Sequence, residues 1–247
     1  MSNTVIIGYG FVGRATEYLL ARNQQPDPIV YDPKLGLSST ENWIDVEYAF
    51  ICVPTPESDT GELDLSAVQE AYTLCTQFDI TPVIRSTLGP DQVAQFPLAV
   101  VMPEFLREAH WQMDTENINT VLLGGDPDLV SGVAKLFPAR NCEPMTAVDA
   151  MMYKLSRNAL LAVKVTLANQ LKQACDTVGA DYNSVVHLLN TDNTLGQTHW
   201  DVPGPDGLFG YGGKCFPKDI AHMSKLCGAH NTFSHTQKIN SKLRNSK

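Results

Sequence analysis

No apolar run in the 247 residues approaches the ~20 that a membrane helix needs. Basic residues are in the minority, with 18 Lys and Arg against 27 Asp and Glu, a net charge of -9. That balance excludes a nucleic-acid binder, which needs a basic face to neutralise phosphates. A small anionic ligand stays open, because a few backbone amides and one or two lysines are enough for it. The cysteines at 52, 75, 142, 175, 215 and 227 form no CxxC pair and no disulfide-framework spacing. They read as reduced thiols of a cytosolic protein, most of them buried as small apolar residues. The histidines at 110, 187, 199, 222, 230 and 235 show no metal-ligand spacing, so no metal is expected. Neither a basic segment nor a cleavage site accompanies the apolar start at Met1–Gly10, so a secretory signal is not expected and the expected location is cytoplasmic. Internal repeats and low-complexity tracts are absent too.

What is present is an ordinary enzyme-like composition, 43% apolar and 18% charged, in a length that allows one large domain or two modest ones. The first ~140 residues alternate short apolar runs with helical stretches, the pattern of a parallel sheet with crossover helices. Strands are expected at Thr4–Ile7, Pro28–Tyr31, Tyr48–Val53, Thr81–Arg85, Ala99–Met102 and Thr120–Leu123, with helices at Val12–Arg22, Ser66–Gln77 and Asp128–Leu136. From Ala147 to Val178 there is neither Gly nor Pro, which predicts one helix far longer than the usual ~11–12 residues. Leu155, Leu160, Val163, Leu167 and Leu171 give that helix an apolar stripe, and Gly179 ends it. A shorter helix at Tyr182–Leu189, a Gly- and Pro-rich loop and two short C-terminal helices complete the reading. The expected architecture is an α/β Rossmann-like doubly wound parallel sheet over residues 1–146, followed by a small all-helical domain over 147–247. The long helix is a natural spine or dimer contact.

Two motifs carry chemistry. Gly8-Tyr9-Gly10-Phe11-Val12-Gly13 is G-x-G-x-x-G between a strand and a helix, the context that a dinucleotide fingerprint requires. Gly8 permits the turn, Gly10 lets the backbone approach a pyrophosphate, and Gly13 lets the helix pack on the sheet. Asp32, 19 residues beyond Gly13, is placed to accept from a ribose diol and favours NAD over NADP. Lys34 beside it softens that preference. The second motif runs Phe209-Gly210-Tyr211-Gly212-Gly213-Lys214-Cys215-Phe216-Pro217-Lys218-Asp219. Its glycines let backbone approach a ligand closely, and Pro217 suits the first turn of a helix. Cys215 would then sit at a helix N-terminus between Lys214 and Lys218, a setting that favours a thiolate.

With these motifs the sequence resembles the UDP-glucose/GDP-mannose dehydrogenase family, most closely its UDP-glucose-oxidising members. The resemblance is carried by Gly8–Gly13, Val53-Pro54-Thr55-Pro56, Ser86-Thr87, Pro103-Glu104-Phe105-Leu106-Arg107-Glu108, Lys154 with Asn158, and Gly212–Asp219. It implies a four-electron, NAD-dependent oxidation of a nucleotide sugar, UDP-glucose to UDP-glucuronate, through a thiohemiacetal and thioester on Cys215, in the service of polysaccharide synthesis. It further implies that Lys154 and Asn158 donate to the developing oxyanion, that Asp219 serves as base, and that Glu108 activates water with help from Thr87. Tyr9, Phe11, Val12, Val53, Pro54, Thr55, Thr87 and Lys218 would line the cofactor. Glu104, Phe105, Leu106, Tyr211 and Gly212 would join Glu108, Lys154, Asn158 and Cys215 around the sugar nucleotide, with Glu104 assigned to structure rather than chemistry. A homodimer through 147–178 is expected.

Two departures qualify the match. Family members are longer, with a third domain that contacts the nucleotide, so a short form or one part of a larger enzyme is expected. Thr194-Leu195-Gly196 stands where the family has an Arg-Ile-Gly whose arginine reaches a partner's substrate. Two other readings remain: a non-catalytic relative that binds NAD or a nucleotide sugar, and a two-electron β-hydroxyacid dehydrogenase.

Overall fold

The computed structural model describes residues 3–56, 63–191, 195–229 and 231–245. By compactness it divides into Met1–Lys154 and Leu155–Lys247.

In the first unit, strands β1 (Thr4–Ile7), β2 (Ile29–Tyr31), β3 (Tyr48–Ile51), β4 (Thr81–Ile84), β5 (Val100–Val101), β6 (Thr120–Gly124) and β7 (Asn141–Met145) form a single sheet of order β2-β1-β3-β4-β5-β6-β7. Between them lie α1 (Phe11–Arg22), α2 (Ser66–Gln77), α3 (Trp111–Glu116) and α4 (Pro127–Ala134). Apolar residues alternate across the strands. Val5, Ile7, Ala49, Ile51 and Ile84 enter one core with α2, while Ile6, Phe50, Val83 and Val100 enter another with α1 and α4. Both faces are therefore covered, as a doubly wound sheet requires.

The expected α/β class holds, with two corrections. β5 meets β6 antiparallel, at Val101↔Gly124, so β6 and β7 run against the five parallel strands. β7 itself was not expected. Its Asn-Cys-Glu-Pro-Met has no alternation and is mostly exposed, and a proline is tolerated because the strand lies at the sheet edge.

The chain leaves β1 for β2 on one side and returns to β3 on the other, so the topology switches direction beside β1. Ligands of open α/β sheets bind outside the carboxyl ends of the strands at such a point. The turn after β1 and the residues after β3 meet there. A Cβ on Gly8, at φ +90, would lie 2.9 Å from the Cys52 carbonyl oxygen.

Helix α5 (Ala147–Val178) has the expected limits, but the compact units divide within it rather than at its start. Its first turns are the cause, since Ala150 and Met151 pack into the first unit's core.

The second unit holds most of α5 with α6 (Tyr182–Thr191), α7 (Phe216–Leu226) and α8 (Thr232–Asn245). Its core joins Leu155, Ala159 and Ala162 of α5 to Tyr211 and to Ile220 and Met223 of α7. Only part of the apolar stripe expected on α5 is buried: Leu155 lies in this core and Val163 packs against it, whereas Leu160 and Leu167 are exposed and Ala159 and Ala162 face the core.

Candidate active site

In the first unit the sequence places small and polar residues where the parallel strands end. Gly13 is buried beneath the turn, and a Cβ there would meet the Gly8 carbonyl oxygen at 2.3 Å, which no side chain allows. Gly10 is different: a Cβ on it would meet nothing within 4 Å. It forms the N-cap of α1 without a side-chain cap, leaving open space in front of the helix's first N–H groups. Asp32 follows β2 and is fixed by two backbone donors, Tyr9 N at 2.8 Å to Oδ2 and Lys34 N at 3.1 Å to Oδ1. Each oxygen keeps a second lone pair for a hydroxyl. Lys34 thus contributes its amide here, with its side chain in solvent.

After β3, Val53 is half-buried, Pro54 exposed and Thr55 buried. Ser86, after β4, ties these loops together by donating to the Val53 carbonyl at 2.7 Å, and Thr87 is buried next to it. An uncapped helix start, an open glycine and a pinned carboxylate fit an adenine dinucleotide: the first two for its pyrophosphate, the third for its ribose.

After β5, Glu104 is 9% exposed and receives Lys154 Nζ at 2.8 Å and Leu106 N at 2.8 Å. Burial pushes its carboxyl upward. The Lys154 ammonium, the Leu106 N–H and the nearby charge of Arg85 outweigh that and hold it below its ordinary range. Phe105 packs edge-on against Tyr153, and Leu106 is buried. Glu108 is exposed at the start of a short 3-10 turn, behind Arg107, which is paired with Asp114 at 2.6 Å.

Arg85 went unnoticed in the sequence. It is 2% exposed, its Nε and Nη1 have no hydrogen-bond partner, and burial pushes its guanidinium down. A strand end rarely hides a charge, and only its position before Ser86-Thr87 could have drawn attention to it.

In the second unit, Cys215 is half-buried at the N-cap of α7, with Pro217 in the first turn as expected. Its carbonyl accepts the Asp219 amide at 3.0 Å. The Asp219 carboxylate is wholly buried and receives Asn158 Nδ2 at 2.6 Å and Lys218 Nζ at 3.1 Å. Asn158, Lys218 and Asp219 are therefore brought together.

The glycines before the cysteine gain a second explanation. A Cβ on Gly210 would lie 2.3 Å from Asn240 Oδ1, and one on Gly212 2.3 Å from Arg244 Nη2. Asn240 clasps Tyr211 from both sides, its Oδ1 accepting Tyr211 N at 2.8 Å and its Nδ2 donating to Tyr211 O at 3.0 Å. Asn169 of α5 accepts Gly210 N at 3.1 Å. Gly210 and Gly212 thus make room for α8, while Gly213, at φ +78, faces open space. Asn169, Asn240 and Arg244 were not named for this role. The available signal was asparagine inside helices, where it is a poor helix former and needs a reason. Of Thr194-Leu195-Gly196, Thr194 lies outside the described residues.

The fold of this chain is shared with solved structures of nucleotide-sugar dehydrogenases. A UDP-glucose dehydrogenase structure from Pyrobaculum islandicum superposes with a TM-score of 0.78 at 21% identity, covering 99% of this chain and 68% of that one. A ternary complex of GDP-mannose dehydrogenase from Pseudomonas aeruginosa gives a TM-score of 0.63 at 26% identity, covering 98% and 69%. Residues 148–242 match the model of the central domain of the UDP-glucose/GDP-mannose dehydrogenase family. The UDP-glucose 6-dehydrogenase AglM of Haloferax volcanii is 30% identical over 208 residues, 72% of this chain and 47% of that protein. The chain spans about half the length of the curated relatives it matches. Members of the family are NAD-dependent. Among the described residues no helix is long and apolar enough to cross a membrane, and no cluster of ligating side chains could hold a metal.

Proposed function

We propose that the chain carries the catalytic machinery for NAD-dependent four-electron oxidation of a nucleotide sugar, UDP-glucose to UDP-glucuronate. The observation that carries this reading is Cys215 at the head of α7, with the buried Asp219 one turn on, held by Asn158 and Lys218.

When bound, NAD supplies the hydride acceptor for each of the two oxidations. Gly8, Gly10 and Gly13 shape its loop, with Tyr9, Phe11 and Val12 around it, and Asp32 takes the ribose diol. Val53, Pro54, Thr55 and Thr87 lie at neighbouring strand ends. Asp219 accepts the hydroxyl proton of the alcohol through a water as its hydride leaves, giving an aldehyde. An aldehyde has no hydride to yield until something adds to its carbonyl. The Cys215 thiolate, favoured by the helix end, adds to that carbon, and a C–S bond forms while the oxygen becomes an oxyanion. Lys154 and Asn158 donate to that oxygen. Loss of the second hydride leaves a thioester. Water, activated by Glu108, then adds, the C–S bond breaks, the thiolate is restored and a carboxylate departs. Glu104 keeps Lys154 charged and oriented, and Phe105, Leu106, Tyr211 and Gly212 lie along the sugar nucleotide. A second copy joins along α5, and six free cysteines suit a reducing cytosol.

The test is to add NAD and a panel of nucleotide sugars and to follow absorbance of the reduced nicotinamide. Two NADH per sugar consumed are expected, and a single NADH per turnover overturns the covalent mechanism. The competing reading is a non-catalytic binder of the same ligands. Binding of UDP-glucose with no NADH under any condition would establish that instead.

A further inference from the structure

Cys215 stands at the N-cap of α7, directly before Phe216, so what holds Phe216 helps to fix where the cysteine lies. Phe216, the next residue, packs its ring edge-on against Tyr211 at 6.4 Å and tilted against His199 at 5.8 Å. His199 sits at φ +69, a left-handed conformation that a non-glycine residue keeps only when its surroundings impose it.

Lys164 on α5 holds the loop on either side of His199. Its ammonium donates to the Leu195 carbonyl at 2.8 Å and the Gly196 carbonyl at 2.9 Å, and lies 4.5 Å from the centre of the Trp200 ring. Two carbonyls and one aromatic face match the three N–H donors of an ammonium. Trp200 closes the loop on itself by donating Nε1 to the same Gly196 carbonyl at 3.0 Å, and its own carbonyl receives the Tyr182 hydroxyl. Burial pushes the Lys164 ammonium down from its ordinary value.

We propose that Lys164 is a positioning residue for Cys215: it clamps the 195–200 loop, and His199 of that loop holds Phe216 and with it the head of α7. The proposal rests on reading Cys215 as the nucleophile, but it is tested on the thiol itself. A methionine at 164 fills the same space and offers the two carbonyls and the indole nothing. The loop then opens locally, His199 leaves Phe216, and the Cys215 sulfur is reached more easily. An arginine keeps the charge, the forked donors and the stacking on Trp200.

The experiment pulses the intact chain with iodoacetamide and reads the rate of alkylation at each cysteine by peptide mass mapping. For Lys164→Met a rise on the order of tenfold is expected at Cys215, the scale of losing one charged donor set. Lys164→Arg should stay within about twofold of the unmodified chain. Cys175, buried on the same helix, should keep its rate in both. His199→Ala, which leaves the clamp intact, should reproduce the rise and keeps the idea testable if Lys164→Met does not fold. An unchanged Cys215 rate in either variant overturns the proposal, as does a rise at Cys175 in step with Cys215, which marks loosening of the whole unit. A chain that shows the expected rates yet makes no NADH leaves the clamp standing and overturns the dehydrogenase reading alone.

Discussion

At the scale of single residues, the carboxylates divide by what surrounds them. Glu104 looked structural in the sequence, and in the fold it is the buried counter-charge of Lys154. Its carboxyl is held below the usual range, so its contribution to stability is complete above the unfolded-state value and is lost as pH falls through the folded-state value. Unfolding free energy should therefore decline as pH drops below about 4. Glu104→Gln should flatten that decline and, by leaving Lys154 a buried cation without its partner, cost about 3–5 kcal/mol at neutral pH. Urea titrations at pH 7 and pH 3 compare the two, and an identical pH slope in both proteins would remove Glu104 from the account. On the proposed mechanism, Cys215→Ser separates the two oxidations. A hydroxyl adds to the aldehyde poorly, so NADH per sugar should fall from two to one or fewer, with aldehyde detectable by hydrazine trapping. Full stoichiometry in the serine variant would end the covalent reading.

At the scale of elements, the glycine turn after β1 tests what each glycine is for. Gly13→Ala drives a methyl to 2.3 Å from a backbone oxygen that cannot swing aside, so about 2–3 kcal/mol of stability should be lost. Gly10→Ala meets open space and should cost about 1 kcal/mol or less, the loss of a good N-cap, while weakening NAD binding by far more than its stability change implies. Thermal melts with and without NAD distinguish the two, and the turn does not serve a dinucleotide if both variants bind NAD as the original does. The limits of β1, α2 and α5 were legible because their patterns are long or strongly apolar. Strand β7 was not, since an exposed edge strand needs no apolar alternation and its five register pairs with β6 supply the order. Helix α3, six residues long, is too short to show a period. The clasp of Asn240 on Tyr211 joins positions 29 apart, a pairing that no local pattern announces.

At the scale of the molecule, the sequence made the order of a sheet, a spine and a helical unit legible, but not which face of the spine turns inward. Leucine is ordinarily counted as core, which put Leu155, Leu160, Val163, Leu167 and Leu171 in one stripe. The second unit instead buries Ala159 and Ala162 beside Leu155, and leaves Leu160 at 61% and Leu167 at 55% exposure. Two leucines seven residues apart on an outward helix face, with Leu171 one turn further and half-buried, repeat at the spacing by which paired helices interlock. Leaving them in water forfeits burial worth about 1.5–3 kcal/mol per leucine, which a second copy laid along α5 would recover. The double variant Leu160→Glu, Leu167→Glu should therefore sediment at half the mass of the unmodified chain. Because both positions are exposed within one copy, its own thermal unfolding at low concentration should shift by no more than about 0.5 kcal/mol per site. Equal sedimentation of the two proteins would mean that these leucines hold no partner copy.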